Sequence, residues 1–349
     1  MSLTPRMDIL SRDRHDFTTS LLNQTEQPDE PFGYQTRHLK NIAILGPGGN
    51  VGSAIITELL KDGSRFNITA ITRQTSSYTL PPDSNITHKT VDYTSASALE
   101  DAFRGQDAVV NCVTGGVTQY DPSKLIIDAA VAVGVDFFFA NERLPESFVG
   151  AKARIREYLE ELGKKGKITW VSLNGGPFFD MWLMKGPAGF DVANRRARIY
   201  GTGNNPLRWT PLPTIALAAV NMLRNPEPII NRSIYICPLL KITQNILLGT
   251  LESVLDTKFT IEYIDVKKIN ENAKNALERG EPMKAMKGLA VSNQFYEGDG
   301  GNDFSHLVEN DVVGVQIMAV EDAVRDAIKR YEEDYKAVEG MYKVEPCEV

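Results

Sequence analysis

From residue 40 onward the chain alternates short apolar runs with amphipathic stretches. Residues 41–45 (Asn-Ile-Ala-Ile-Leu) form an apolar run ending in glycines, the pattern of a strand buried on both faces. Val51, Ile55 and Leu59 then recur every four residues, which makes one helical stripe. Further strands are predicted at 66–72, 86–91, 108–113, 135–140 and 168–173. Helical periods at 95–103, 123–133 and 148–162 fall between them, the second opened by Asp121-Pro122 and closed by Gly134. Strand and helix in alternation, joined by right-handed crossovers, give an α/β doubly wound parallel sheet. Beyond residue 175 the order loosens. Strands at 197–200, 233–236 and 259–264 mix with helices at 215–223, 243–255, 266–279 and 320–331. That half reads as a smaller C-terminal lobe interleaved with the sheet. The reading divides the chain into an arm without apolar period (1–38), a sheet domain (39–175), the lobe (176–335) and a tail (336–349).

Composition changes this picture little. The 349 residues are 42% hydrophobic and 24% charged, ordinary for a globular chain with a sizeable core. The net charge of −7 argues against a general nucleic-acid binder, and no apolar run approaches the ~18 residues of a membrane helix. Cys112, Cys237 and Cys347 are too scattered for a disulfide framework, and no histidine lies near another, so a metal site has little support. In the first 20 residues Arg6, Arg12 and Arg14 are balanced by Asp8, Asp13 and Asp16, which fits neither a secretory nor a matrix-targeting leader. A cytoplasmic protein is expected.

The chemistry gathers at the first strand–helix junction. Gly46-Pro47-Gly48-Gly49-Asn50-Val51-Gly52 carries the frame G-x-x-G-x-x-G through Gly46, Gly49 and Gly52. Such a loop makes a tight turn, lets the backbone approach a pyrophosphate, and aims a helix N-terminus at the phosphates. The second strand ends at Ile71-Thr72-Arg73-Gln74-Thr75-Ser76. No acid stands there to hold the ribose hydroxyls of NAD. Arg73 and Ser76 instead suit a 2′-phosphate, so NADP(H) is the expected cofactor. Asp92 and Tyr93, after the third strand, are expected to border the adenine. Thr114 and Gly115, after the fourth, are expected to pass under the dinucleotide, and Asn174 ends the sixth strand beside it.

These residues resemble the NmrA-like and isoflavone-reductase-like family of atypical short-chain dehydrogenases. The resemblance is carried by the glycine loop, Thr72-Arg73, Gly105-Gln106-Asp107-Ala108-Val109-Val110, residues 128–135, residues 152–159, and the late segment from Asp303-Phe304 to Gly314. It covers roughly residues 40–335 and implies a Rossmann-like fold, NADP(H), and reduction of small aromatic or phenylpropanoid-like substrates. Residues 39–175 then become the NADP-binding domain and 176–335 the substrate-side lobe. The family also implies a second reading, a non-catalytic NADP(H)-binding redox regulator that meets a protein partner, with a nuclear location open to it.

The resemblance implies Lys152 as the catalytic residue, also touching the nicotinamide ribose. Its spacing agrees: it stands four residues after Phe148 and three before Ile155 in the stripe that continues through Leu159 and Leu162, so it projects near the sheet side. Two Tyr-x-x-x-Lys strings, Tyr120 to Lys124 and Tyr263 to Lys267, lie in the wrong places for the short-chain dehydrogenase pair. The chain departs from the reductases at Asn141-Glu142-Arg143-Leu144, where a short connection replaces their longer loop. The aromatic segment after strand six, Phe178, Phe179 and Trp182, is expected to wall a flat substrate.

Overall fold

The computed structural model describes residues 38–113, 120–140, 151–297 and 303–331, without the side chains of Ala151, Lys152, Met283 and Lys287. The first half runs β1 (Asn41–Leu45), α1 (Asn50–Leu60), β2 (Asn67–Thr72), β3 (Thr87–Thr90), α2 (Ala96–Phe103), β4 (Ala108–Asn111), α3 (Tyr120–Ala132), β5 (Phe137–Ala140), α4 (Ala151–Lys164) and β6 (Thr169–Asn174). The second half adds α5 (Phe179–Met184), β7 (Phe190–Asp191), β8 (Arg196–Tyr200), α6 (Leu212–Arg224), β9 (Arg232–Tyr235), α7 (Gln244–Val254), β10 (Thr260–Ile264), α8 (Val266–Glu278), α9 (Pro282–Phe295) and α10 (Val320–Arg330).

Seven strands form one sheet in the order β3-β2-β1-β4-β5-β6-β9, and every pairing in it is parallel. The order reverses between β1 and β4, so the crevice for a ligand opens at the carboxyl ends of those strands. One face of the sheet packs on α1 and α6 through Ile42, Ile44, Ile55, Leu59 and Val220. The other packs on α2, α3 and α4 through Leu45, Phe103, Val109, Ile127 and Leu159. Strands buried on both faces explain the unbroken apolar runs. A separate core, built on Phe179, Phe190, Trp209 and Leu247, holds the lobe around the small sheet β10-β8-β7.

Sequence periodicity and structure part in the second half of the chain. The segment at 233–236 is not a lobe strand. As β9 it closes the main sheet beside β6, with Asn174 opposite Tyr235. The chain therefore returns to the sheet after leaving it at residue 175. Helix α9 carries no prediction, because Pro282, Gly288 and a polar Ser-Asn-Gln end blur its period. Helix α5 and the two-residue strand β7 also carry no prediction.

Helices α1 and α6 are tied at their ends by Asp62, which takes Arg224 Nε at 2.8 Å and Nη2 at 2.6 Å. Both side chains are mostly buried, and the guanidinium holds the Asp62 carboxyl below its usual range. A carboxyl lowered by folding stabilises above its unfolded pKa, near ~4, and that stability is lost as the pH falls through the folded value. Asp62→Asn should lower the unfolding free energy at pH 7 by ~1–3 kcal/mol and flatten the acid limb of stability below about pH 4. Urea unfolding at pH 7 and pH 3 checks both; equal losses at the two pH values would exclude the ion pair as the cause.

Candidate active site

The glycine loop joins β1 to α1 at the switch point of the sheet. Gly46 sits at φ +73°, where L side chains are strained, and a Cβ there would come within 3.1 Å of the Cys112 carbonyl. Gly52 is tighter: its Cβ would meet the Gly46 carbonyl oxygen at 2.3 Å. Gly49 is different, since a Cβ on it would meet nothing closer than the Gly46 oxygen at 3.4 Å. Its open face is a cradle that packing within the chain does not require. Gly49 is also the N-cap of α1 and offers no side-chain cap. The first-turn amides of a helix lack intrahelical partners, and with the dipole they favour an anion. Gly48, Gly49 and Asn50 are exposed, Val51 is half-buried and Gly52 is buried, so the loop's apex faces solvent while its base is packed.

The loop is braced from below. The Ile71 carbonyl accepts both the Gly46 N–H at 3.3 Å and the Tyr93 hydroxyl at 2.7 Å. Burial pushes the Tyr93 hydroxyl up to about 12, so it stays a donor. Its hydroxyl proton is thus committed to the strand end that braces the loop. Asp92 is exposed, and one carboxylate oxygen takes Thr94 through its N–H at 2.9 Å and its hydroxyl at 2.7 Å. Those bonds hold the carboxyl below its usual range. Tyr78 carries no motif that marks it in the sequence. Its ring lies over Gly48, with Cδ2 3.2 Å from where a Cβ would stand, and its buried hydroxyl has no hydrogen-bond partner. The available signal was one aromatic residue in the Ser/Thr/Pro-rich stretch 75–85.

Arg73 and Ser76 follow β2 and are both exposed. The Ser76 N–H donates to the Arg73 carbonyl at 3.0 Å, and the Ser76 hydroxyl oxygen accepts the Tyr78 N–H at 3.2 Å, which sets a tight turn. A guanidinium free to reach a phosphate beside the ribose would govern the choice between the two dinucleotides. Arg73→Asp should weaken NADPH ~10–100-fold and change NADH affinity less than ~3-fold, measured by fluorescence titration of each. Parallel losses for the two would remove Arg73 from that role.

Asn174 ends β6 at the same carboxyl edge, 2% exposed, and neither its side-chain nitrogen nor its side-chain oxygen has a partner. A buried amide without partners costs ~1–3 kcal/mol, so this side chain calls for a water or a ligand to bond it. Three strand spacings of ~4.8 Å separate β1 from β6, ~14 Å in all, a span on the scale of an extended dinucleotide. Asn174→Leu should leave the ligand-free chain as stable or up to ~2 kcal/mol more stable, and weaken NADPH binding or turnover ~10-fold. Thermal unfolding beside a titration tests this; a destabilised variant with full affinity would contradict it.

The aromatic segment stands differently from expectation. Phe179 is fully buried in the lobe core and has no face for a substrate, because α5 turns it inward against Trp209 and its neighbours. Trp182 is half-buried and lies 5.4 Å from the Trp209 ring. Phe178 is half-buried against the sheet core and bridges to Thr210. Phe178 and Trp182 keep accessible surface. Thr114, Gly115, Glu142 and Phe148 lie outside the described residues, as does the side chain of Lys152, whose backbone is the second residue of α4. The two Tyr-x-x-x-Lys strings have other uses. Lys124 pairs with Asp128 at 2.6 Å and reaches the Tyr158 hydroxyl at 3.3 Å, which ties α3 to α4. Tyr263 is 72% exposed on β10.

Residues 46–162 match a family model described as NAD(P)H-binding. An oxidoreductase, aprR, of Aspergillus flavus is 27% identical over 82% of this chain and 98% of its own length. Among solved structures, an isoflavone reductase superposes with a TM-score of 0.65 at 18% identity, over 82% of this chain and 99% of that one. An NADPH-dependent quinone oxidoreductase from Escherichia coli, complexed with NADPH, does so with a TM-score of 0.64 at 20% identity, over the same shares. Residues 46–162 are thus an NAD(P)H-binding segment set in an isoflavone-reductase-like fold. No helix among the described residues is long and apolar enough to cross a membrane.

Proposed function

Taking the chain as an NAD(P)H-binding oxidoreductase with the isoflavone-reductase-like fold, we propose that it is an NADPH-dependent reductase of a small aromatic or conjugated carbonyl compound. The observation that carries the reading is the polar pair at the carboxyl edge: an uncapped α1 behind an open Gly49 at one end, and the orphaned amide of Asn174 at the other. The first suits a pyrophosphate and the second the carboxamide or ribose of a nicotinamide. When bound, the dinucleotide supplies the hydride. The chain's share is to hold the phosphates on the α1 amides, to read the 2′-phosphate with Arg73 and Ser76, and to deliver a proton from Lys152. Phe178 and Trp182 supply apolar surface beyond β6 for a flat substrate. The quinone oxidoreductase of like fold points to the same chemical class.

The test is NADPH consumption by the full chain against a pooled panel of aromatic aldehydes, ketones, enones and quinones, with NADH in parallel. Saturable turnover that prefers NADPH is expected. Tight NADPH binding without turnover on any member would replace the reductase with the redox-regulator reading. Different affinities for NADPH and NADP+, together with a protein partner sensitive to that ratio, would then be its signature.

A further inference from the structure

A second polar site lies where α5, α10 and the start of α6 share the wall of one cavity. Asp180, on α5, is 2% exposed. Its Oδ1 accepts the Leu212 N–H at 3.1 Å and so caps the N-terminus of α6. Its Oδ2 is buried and has no hydrogen-bond partner. The nearest cation, Arg330 Nε, stops 3.6 Å away, beyond good hydrogen-bond reach. A carboxylate so placed has half of its acceptor capacity unmet, and burial makes that costly. The same carboxylate lines a cavity of about 100 Å³, whose other walls include Pro211, Pro213, Met318, Asp326 and Arg330. That volume is several times the ~10–15 Å³ that admits one water.

We infer that this cavity binds a small organic cation, a primary ammonium group on a short apolar body. Among the described residues its charged side chains are two carboxylates, Asp180 and Asp326, against one guanidinium, so that lining carries one excess negative charge. An anion would find the Leu212 N–H already taken by Asp180. An ammonium donates up to three hydrogen bonds and can satisfy Asp180 Oδ2 and Asp326 together. The prolines, Met318 and the methyls of Ala323 and Ala327 form the apolar part of the wall. Ammonium and Arg330 would compete for the same oxygen, so the pair Asp180–Arg330 is the form that a ligand displaces.

The full chain, labelled at alanine methyls, is titrated with propylammonium chloride at constant ionic strength, and separately with 1-propanol. Propylammonium is expected to shift the Ala323 and Ala327 methyls saturably, with a dissociation constant of ~1 mM or tighter, and 1-propanol at least ~10-fold more weakly. Asp180→Asn, which can still accept the Leu212 N–H, should weaken the ammonium ~10-fold or more. Two variants on the exposed face of α10 decide the matter even if that one does not fold. Asp326→Asn should weaken binding ~3-fold, and Arg330→Gln should tighten it ~3-fold by removing the competitor. Equal affinity for the alcohol, no saturable shift at these two methyls, or weaker binding in Arg330→Gln would overturn the assignment. Each of these outcomes is read at the alanine methyls and not through turnover of NADPH, so failure here leaves the proposed reductase activity to its own test.

Discussion

Gly52→Ala is expected to weaken NADPH binding about 100-fold or more and to lower stability by ~1–3 kcal/mol. The added methyl would stand 2.3 Å from the Gly46 carbonyl oxygen, 3.0 Å from the Gly46 carbonyl carbon and 3.0 Å from Pro47 Cα. All three are backbone atoms, so no side chain can swing away. Gly46 itself cannot yield, because its φ of +73° places it against Cys112 and its N–H is fixed on the Ile71 carbonyl. The helix would have to back off the loop, which moves the first-turn amides away from any phosphate. Gly49→Ala is the informative companion. Its methyl meets only the Gly46 oxygen at 3.4 Å, an ordinary contact, so the ligand-free chain should keep its stability within ~0.5 kcal/mol. It should nevertheless lose NADPH affinity ~10-fold or more, because the methyl fills the cradle. Thermal unfolding without cofactor, beside a fluorescence titration with NADPH, separates the two variants. Full affinity in Gly49→Ala would mean that the dinucleotide does not ride on that face.

The sheet was legible because its strands are buried on both faces. Ile42, Ala43, Ile44 and Leu45 are all fully buried, and such runs do not resemble amphipathic helix. The glycine loop was legible because its demands are local: a turn, a close approach and a helix start within seven residues. The place of β9 was not legible. A four-residue strand, Arg-Ser-Ile-Tyr, carries no mark of the sheet it joins, and its pairing with β6 bridges some sixty residues of chain. The aromatic segment misled for a related reason. Composition shows that Phe178, Phe179 and Trp182 want apolar surroundings, but only the turn of α5 decides which of them the lobe core takes, and it takes Phe179. Asn174 could be named from its place at a strand end, whereas its missing partners are a three-dimensional fact. Tyr78 and Asp180 belong to the same class: a Tyr in a loop and an Asp in a helix look ordinary until each proves to bury an oxygen without a hydrogen bond.

Lys152→Met should cut kcat by ~10²–10⁴ while NADPH affinity stays within ~3-fold. Residue 152 is the second position of α4, and α4 begins after the carboxyl end of β5, the edge where ligands of such sheets sit. Seven residues on stands Leu159, fully buried against the sheet. Seven steps of ~100° fall ~20° short of two full turns, so positions 152 and 159 share one face of the helix. On that face Leu159 packs into the core between the sheet and its helices. Reduction of a carbonyl or enone leaves an oxygen or carbon that must take a proton, and a lysine at that position can give it. Lys152→Arg distinguishes proton delivery from charge: arginine keeps the positive charge but does not release a proton in this range. If delivery is the role, Arg binds NADPH as well as the wild type and turns over as poorly as Met. If the lysine only anchors the cofactor, Arg restores turnover and Met raises the NADPH dissociation constant instead. Wild-type kcat in Lys152→Met would remove the residue from the reaction altogether and leave the proton to water or to the substrate's own hydroxyl.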